Sequence, residues 1–338
     1  MTRAPVFAAH ALVSPSFVCG HRESLLYNRP GMSDRDAPIV GMHASIAGGL
    51  ANAISRAEAL GCDCVQIFAR NPRGWAAREL TPGEISEFRE ARDRSGLWPL
   101  VIHSVYLINL AAQDPALLAR SRATFREELE RGLALGADYL VVHPGNPGAA
   151  GTEIGIATAV ESVREAARGL KLNGASAKAN RRGENSALTI LIENTAGQGS
   201  SIGCDFDQIA QLLAALDDLP VDVCLDTAHT FASGYDISTE AGLSATTNKI
   251  SRAIGIGRIK LIHCNDSKAP LGSRVDRHEH IGLGHIGADA FRRLTHDSKL
   301  RRIPFVLETP VDKERGYEWN VNKLRELAKT EKTARQMR

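Results

Sequence analysis

The segment from residue 258 to residue 287 concentrates side chains that bind metals in proteins. Its sequence, RIKLIHCNDSKAPLGSRVDRHEHIGLGHIG, places these imidazoles and carboxylates in one glycine-rich stretch: His263, Asp266, Asp276, His278, His280 and His285. Neutral imidazole and ionised carboxylate suit zinc, and leaving such groups unpaired in a folded interior is costly. Taken alone, the triplet Asp276-Arg277-His278 is more typical of a solvated polar loop. Its interpretation therefore depends on the rest of the chain.

Short apolar runs elsewhere end in the same kinds of side chain. The runs LVIHS, YLVVHPG, ILIEN, VDVCLDTAH and FVLETP deliver His103, His143, Glu193, Asp226, His229 and Glu308. Each run is rich in Val, Ile or Leu and is bounded by polar or glycine-containing turns, which is typical of a strand buried on both faces. The candidate ligands therefore lie at, or just beyond, the carboxyl ends of strands.

Strand and helix patterns alternate from residue 39 onward and give eight units. The predicted strands are IVGMHAS, CVQIFA, LVIHS, YLVVHPG, LTILIEN, VDVCLDTAH, IKLIHCND and FVLETP. A helical pattern follows each strand, and the third helix has a clear stop signal at Gly136. Eight such units predict an α/β fold, a closed TIM (β/α)8 barrel whose site lies at the C-terminal face of its strands. A doubly wound open sheet fits less well, because it gathers its site at one switch point.

The length and composition fit one large domain flanked by segments of different character. The chain has 338 residues, of which 43% are hydrophobic, enough for a substantial core. We expect a single barrel domain over residues 39–329, with a mobile polar insertion at 174–187 and a frayed basic tail at 330–338. Residues 1–38 contain no acid before Glu23. This N-terminal extension could be a disordered arm, a transit or secretory signal, or a leader upstream of a start at Met32.

Charge and cysteine content exclude several classes of protein. The formal net charge of +2 excludes nucleic-acid binding through bulk charge alone, so an anionic substrate needs a local positive site. The six cysteines form no C-x-x-C pair, which favours a reducing compartment. That is the cytoplasm if the protein is bacterial, and the extension leaves an organelle open. No run of about eighteen apolar residues occurs, so we expect no membrane span.

The candidate donors are too numerous for one tetrahedral zinc ion. There are nine of them: His103, His143, Glu193, Asp226, His229, His263, Asp276, His278 and Glu308. Two or three divalent ions are implied, and such a centre would keep a positive charge that attracts phosphate. These features favour metal-assisted phosphodiester hydrolysis. His43, at the end of the first strand, is expected to support the centre or to contact substrate. Five other histidines lack this context and receive no metal role: His10, His21, His280, His285 and His296.

Two other functions are consistent with parts of this pattern. A metal-dependent sugar isomerase or epimerase of related barrel type would also place Glu, Asp and His at strand ends. The additional donors His229, Asp276 and His278 have no obvious use in that reaction. A protein that binds damaged DNA without cutting it would tolerate a broken ligand set, whereas every donor is present here.

Eight motifs between Gly41 and Pro310 resemble those of the endonuclease IV family of apurinic/apyrimidinic endonucleases. They are GMHASIAGGL, QIFARNPRGW, HSVYLINLA, HPG, ENTAGQGS, CLDTAHTFASGYD, HCNDSKAPLGSRVDRHEHIGLGHIG and LETP. The resemblance implies a zinc-dependent deoxyribonuclease of base excision repair that acts on double-stranded DNA containing abasic sites. Cleavage 5′ to the abasic site would leave a 3′ hydroxyl and a 5′ deoxyribose phosphate, and 3′ repair diesterase activity could accompany it. A monomer is expected.

The resemblance also implies a ligand set for each of three zinc ions, for which Mn²⁺ could substitute. The three sets are His103, His143 and Glu193; Glu193, Asp226, His263 and Glu308; and His229, Asp276 and His278. Among these ligands, Glu193, Glu308 and His143 would carry the catalytic chemistry.

DNA contacts are implied for side chains in loops at the barrel mouth. Arg73, Tyr106 and Leu107 would fill the gap left by a flipped abasic nucleotide, and His43 would also contact the DNA. The chain departs from the usual family pattern at Pro72, at Gly74 and at Ser104-Val105. These departures affect the expected DNA contacts but leave the expected metal ligands intact.

Overall fold

The structure, a computed structural model, describes residues 37–172 and 188–329. The predicted extension up to residue 36, the predicted polar insertion at 174–187 and the predicted basic tail at 330–338 lie outside the described residues. Within the two described ranges, no helix combines the length and the apolar character that crossing a membrane requires.

Eight of the strands in the described residues form a closed barrel. The strands are β1 (Val40–His43), β2 (Cys64–Phe68), β3 (Leu100–His103), β4 (Tyr139–Val142), β5 (Thr189–Glu193), β6 (Val221–Asp226), β7 (Ile259–His263), β8 (Asp266–Ser267), β9 (His278–Glu279) and β10 (Phe305–Leu307). The barrel order is β1-β10-β7-β6-β5-β4-β3-β2, and every pairing in it is parallel. The predicted (β/α)8 barrel is therefore confirmed.

Helices follow the barrel strands along the described chain. They are α1 (Ala51–Ala59), α2 (Pro82–Ser95), α3 (Pro115–Leu135), α4 (Thr152–Ala167), α5 (Phe206–Ala215), α6 (Thr227–Ala232), α7 (Glu240–Ala253), α8 (Ala288–His296) and α9 (Tyr317–Leu327). In α3 the Asp114 carboxylate accepts the N–H of Leu117, and Gly136 ends the helix at φ 72°, a conformation that glycine adopts without strain. Phe125 and Leu129 of α3 are fully buried against the barrel.

Two local features differ from the sequence-based expectation. The short helix α6 follows β6 directly, because the Asp226 side chain caps it by accepting the N–H of His229. The next helix, α7, begins at Glu240, where Thr239 caps it by accepting the N–H of Gly242. In addition, β8 and β9 pair antiparallel outside the barrel.

A layer of apolar side chains fills the barrel interior. Seven buried residues from seven strands form this cluster: Cys64, Val101, Val141, Leu191, Cys224, Leu261 and Val306. Side chains in a strand alternate between its two faces, so the residue two positions further along points into the same interior. That next position lies nearer the carboxyl end of each strand, and it is polar in all seven cases.

Candidate metal centre

One polar layer, with a member from each barrel strand, closes the carboxyl end of the barrel. Each member lies two residues beyond the apolar interior layer or, in β1, beyond Gly41. The eight members are His43, Gln66, His103, His143, Glu193, Asp226, His263 and Glu308. The strand-end residues predicted from the sequence therefore lie in one layer because parallel strands all end at the same face.

Glu193 occupies the middle of this layer and is almost fully buried. Its Oε2 atom lies 3.2 Å from His103 Nε2 and 3.0 Å from His143 Nε2. Its Oε1 atom lies 3.1 Å from His263 Nδ1 and 3.2 Å from His229 Nδ1. One carboxylate thus faces four imidazoles, two with each of its oxygens, so its two oxygens could be ligands of different ions.

A second group combines carboxylates with one imidazole. Ligand atoms of Glu193, Asp226, His263 and Glu308 all lie within 4.8 Å of one another. His263 Nδ1 is 3.2 Å from Glu308 Oε2. Asn265 orients two of the carboxylates, because its amide donates to Asp226 Oδ2 at 2.7 Å and to Glu308 Oε2 at 3.5 Å.

A third group is built from α6, from the loop between β8 and β9, and from the first residue of β9. His229 Nε2 lies 3.2 Å from Asp276 Oδ2, and His278 Nε2 lies 3.4 Å from Asp276 Oδ1. Asp226 joins this group as well, since Asp226, His229 and His278 present ligand atoms within 4.8 Å of one another. The capping of α6 by Asp226 explains how a residue beyond the strand end, His229, reaches the centre.

Electrostatic interactions in the layer oppose the effect of burial. Burial alone would raise the pKa of Glu193, but the His263 and His143 imidazoles outweigh it and hold that pKa well below the usual range. Burial would lower the pKa of His263, yet nearby groups that include Glu308 and Glu193 raise it well above normal. Burial would also raise the pKa of Asp276, which His229 instead holds at about 2. The carboxyl groups of Glu193 and Asp276 are therefore ionised, as metal ligands must be.

The donor chemistry fits divalent metal ions such as zinc. Neutral imidazole nitrogens and carboxylate oxygens are typical zinc ligands. The Nε2 atom of His278 is buried and has no hydrogen-bond partner among the described residues, although it faces Asp226 and Asp276. A buried nitrogen without a partner is costly, and coordination of a metal would remove that cost.

The four predicted DNA-contact residues are found at or near the same end of the barrel. Tyr106, in the loop after β3, is 69% exposed, and its ring packs edge-on against Phe68 with the centroids 5.2 Å apart. Leu107 is half-buried and Arg73 is exposed. His43 is largely buried, and its Nε2 atom has no hydrogen-bond partner among the described residues.

Asp266, an acidic residue of segment 258–287, has a structural role. The Asp266 carboxylate accepts backbone N–H groups from Ser267, Gly282, Gly284, Ile286 and Gly287 and so shapes the glycine-rich loop.

The histidines to which we gave no metal role lie in other surroundings. His280 Nε2 lies 2.8 Å from Asp312, and the ring of His280 packs edge-on against Trp319. His285 is exposed, and His296 Nδ1 lies 2.8 Å from the Arg292 carbonyl oxygen. His10 and His21 lie outside the described residues. Cys264 is fully buried in the apolar core.

Three amide side chains of the centre were missed by the sequence analysis. They are Gln66, Asn194 and Asn265, all buried. Asn194 connects strand ends, because its Oδ1 accepts the N–H of Asp226 at 2.7 Å and its carbonyl oxygen lies 2.9 Å from His229 Nδ1. A signal was available for Gln66, since a lone amide inside the apolar run CVQIF must find polar partners.

Comparisons with known proteins agree with this architecture. A family model described as "Xylose isomerase-like TIM barrel" matches residues 54–327. A probable endonuclease 4 from Solibacter usitatus is 45% identical over 292 residues, covering 86% of this chain and 96% of the relative. A probable endonuclease 4 from Methanoculleus marisnigri is 42% identical, covering 86% and 99% respectively.

Comparison with solved structures distinguishes members of one family from proteins that share only the fold. The crystal structure of endonuclease IV from Thermus thermophilus superposes with a TM-score of 0.73 at 38% identity and covers 86% of this chain and 98% of that one. A 3-keto-D-glucoside 4-epimerase from E. coli superposes with a TM-score of 0.58 at 12% identity, covering 86% and 98%, which is evidence for a common fold only. By sequence and by structure, this chain belongs to the endonuclease IV family.

Proposed function

We propose that this protein is a metal-dependent apurinic/apyrimidinic endonuclease of base excision repair. It would hydrolyse the DNA phosphodiester 5′ to an abasic site and leave a 3′ hydroxyl and a 5′ deoxyribose phosphate. The observation that carries the proposal is the single carboxylate of Glu193 shared by four imidazoles. Relatives at 45% and 42% identity are named as probable endonucleases 4, which supports the same reaction class.

Three zinc ions are proposed, held by the three ligand sets introduced above. The ligand set of His103, His143 and Glu193 and the set of Glu193, Asp226, His263 and Glu308 share Glu193, which would bridge them. The set of His229, Asp276 and His278 would hold the third ion. Once bound, the ions would supply Lewis acidity and positive charge for an attack of water on phosphorus. Mn²⁺ would substitute for zinc, because imidazole and carboxylate also bind it.

The protein side chains would arrange the reactants around this charge. Glu193, Glu308 and His143 would lie nearest to the reacting phosphate, with Glu193 held at a fixed orientation by the imidazoles on both of its oxygens. Charged groups that are already fixed in a buried site do not have to reorient during the reaction. A nucleophilic side chain is not required, so the absence of Ser or Cys from the polar layer is consistent with the proposal.

The rim of the barrel mouth offers apolar side chains that suit an unstacked duplex. Tyr106 lies in the loop after β3, and four further apolar residues are exposed. Leu271 and Val275 lie between β8 and β9, Leu283 follows β9, and Val311 follows β10. Apolar wedges inserted between base steps are a common way to bend DNA and to hold a flipped nucleotide. Tyr106 and Leu107 would act in this way, with Arg73 contacting the backbone or the gap.

The sugar epimerase alternative has weaker support. The epimerase likeness is 12% identity, which reflects the fold, and the donors around His229, Asp276 and His278 exceed what such a reaction uses. A 3′ repair diesterase activity would use the same centre, since both reactions cleave a phosphodiester.

The test is incision of an end-labelled duplex that carries one abasic-site analogue. We expect one cut 5′ to the analogue, loss of that cut after prolonged chelation, its return with zinc, and no cut in an undamaged duplex. Failure to cut with zinc or manganese would contradict the proposal. Assays of the same preparation with ketose epimerase substrates would then test the alternative.

A further inference from the structure

Gln66 is the one member of the polar layer that carries no charge and has no imidazole. It lies in β2, is 0% exposed, and contacts three other members of the layer. Its Nε2 atom donates to Glu308 Oε1 at 2.6 Å and lies 3.0 Å from His43 Nδ1. Its Oε1 atom lies 2.8 Å from His263 Nε2. One amide therefore uses both of its ends inside the centre.

The orientation of this amide follows from the Glu308 carboxylate. The Glu308 carboxylate faces the His263 and His43 imidazoles at 3.2 Å and 3.4 Å, and a carboxylate that binds a metal is ionised. An atom 2.6 Å from an ionised carboxylate oxygen must be a donor, because two acceptors would repel each other at that distance. The amide nitrogen therefore faces Glu308, and the amide oxygen faces His263.

The amide oxygen determines the tautomer of His263. Since Gln66 Oε1 can only accept, His263 Nε2 must carry the proton that is donated to it. In the neutral form that a metal ligand must adopt, the lone pair of His263 then lies on Nδ1, which is the atom 3.1 Å from Glu193 Oε1 and 3.2 Å from Glu308 Oε2. Fixing the remote nitrogen in this way prepares an imidazole for a metal.

The amide nitrogen determines the opposite tautomer in His43. Gln66 donates one N–H to Glu308 and has a second N–H for His43 Nδ1. His43 Nδ1 lies 3.0 Å from the Gln66 amide nitrogen and 3.4 Å from Glu308 Oε1. A proton on Nδ1 would point at the hydrogens of the nearer group, the amide, so the lone pair belongs on Nδ1 and the proton on Nε2. His43 Nε2 is buried and has no hydrogen-bond partner among the described residues. His43 Nε2–H is therefore a hydrogen-bond donor for which the described residues provide no acceptor.

We propose that Gln66 is a positioning residue that fixes His263 as an Nδ1 metal ligand and His43 as an Nε2–H donor to a phosphate oxygen of the DNA. The proposal rests on the proposed function for the identity of the acceptor, but the two tautomers can be measured in the zinc-loaded protein without DNA. A charged donor would compete with the metal ions for the phosphate, whereas a neutral imidazole donor adds a hydrogen bond without extra positive charge.

The test measures tautomers and zinc affinity in the full-length, zinc-loaded protein. Two-bond ¹H–¹⁵N correlation spectra of ¹⁵N-histidine-labelled protein distinguish the two neutral tautomers, and the His43 signals are identified by their loss in His43→Phe. We expect an Nε2–H tautomer at His43 and a protonated Nε2 at His263. Zinc affinity is measured by competition with a chromophoric chelator in the absence of DNA.

Two substitutions separate the two ends of the amide. Gln66→Leu removes both contacts, and we expect zinc affinity to fall about 10- to 100-fold, as is typical when a partner of a metal ligand is lost. Gln66→Glu keeps an acceptor for His263 but offers a carboxylate to His43, so we expect His43 to switch to the Nδ1–H tautomer. Gln208→Leu is the matched control, because Gln208 accepts the N–H of Gly203 outside the centre, and it should change neither measurement.

The outcomes distinguish this inference from the proposed function. An Nδ1–H tautomer at His43 in the wild-type protein overturns the inference, as does unchanged zinc affinity in Gln66→Leu. If Gln66→Leu does not fold, the tautomer switch in Gln66→Glu decides the question. Correct tautomers in a protein that cuts no abasic DNA would leave the inference intact and remove the proposed function.

Discussion

Glu193 Oε1 lies 3.1 Å from His263 Nδ1, and both side chains are fully buried in the middle of the polar layer. The other carboxylate oxygen faces His103 and His143. A single side chain therefore connects donors from three other strands, so a change at this position affects more than one ligand group. The consequences of this connection can be measured.

The first prediction concerns the substitution Glu193→Gln. The amide is nearly isosteric but cannot offer two anionic oxygens, so the shared position between ligand groups is lost. We expect incision to fall by more than about 100-fold and bound zinc to decrease in elemental analysis. Glu153→Gln, at an exposed site in α4, serves as the control. Near-normal incision by Glu193→Gln would refute the bridging role.

The second prediction concerns Arg73→Ala. Arg73 is exposed in the loop after β2 and is outside the three ligand groups, so its loss should weaken DNA binding and leave the chemical step intact. We expect KM to rise about 10-fold, a loss of roughly 1–3 kcal/mol, with kcat nearly unchanged. The control is Arg94→Ala, which removes an equally exposed arginine from α2. A fall in kcat at saturating DNA would contradict a binding role.

The third prediction concerns removal of metal. Ionised carboxylates and imidazoles gathered within 4.8 Å gain a common partner when ions bind, and binding to the folded state alone raises stability. We expect chelation to lower the free energy of unfolding by about 4 kcal/mol, or Tm by roughly 10 °C. Zinc should restore the melting temperature, and Glu193→Gln should lose most of that gain. A metal-free protein with an unchanged Tm would exclude this coupling.

The fourth prediction concerns a buried acid outside the centre. Glu128 in α3 is 0% exposed, and neither of its carboxylate oxygens has a hydrogen-bond partner among the described residues. Burial raises its pKa from 4.5 to about 7, although Arg70, with Nε 3.9 Å away, opposes the shift. Between these two values the folded state binds more protons than the unfolded state, so the free energy of unfolding falls as pH rises.

The measurement compares Glu128→Gln with the wild-type protein by urea unfolding from about pH 5 to about pH 8. The variant cannot ionise, so it should gain up to about 3 kcal/mol relative to wild type across this window. Glu127→Gln, which changes the exposed neighbour that pairs with Arg70, should show no such trend. A constant difference between Glu128→Gln and wild type at every pH would mean that Glu128 stays ionised in the fold.

The barrel and most of its polar layer could be predicted because they follow from periodicity. Parallel strands buried on both faces are continuous apolar runs, and their carboxyl ends meet at one face, so strand-end residues such as His103 and Glu308 could be assigned directly. The end of α3 could also be predicted, because its stop signal, Gly136, is a feature of the local sequence.

The remaining parts depend on contacts between distant segments. Gln66 lies within a strand and matters because Glu308 and His263 arrive from the other side of the polar layer. The start of α7 depends on a single threonine cap, and the pairing of β8 with β9 brings together residues more than ten positions apart. Sequence spacing alone carries little information about such pairings.

The closure of the barrel by β10 links the assembly of the centre to the completion of the barrel wall. Glu308 follows β10, which comes after the seven other barrel strands in the described residues and pairs with β1. Until that strand is in place, neither the wall of the barrel nor the second ligand group is complete. A chain that lacks β10 would therefore be unable to bring the four donors of that group together, so a partly made barrel would not present the complete group.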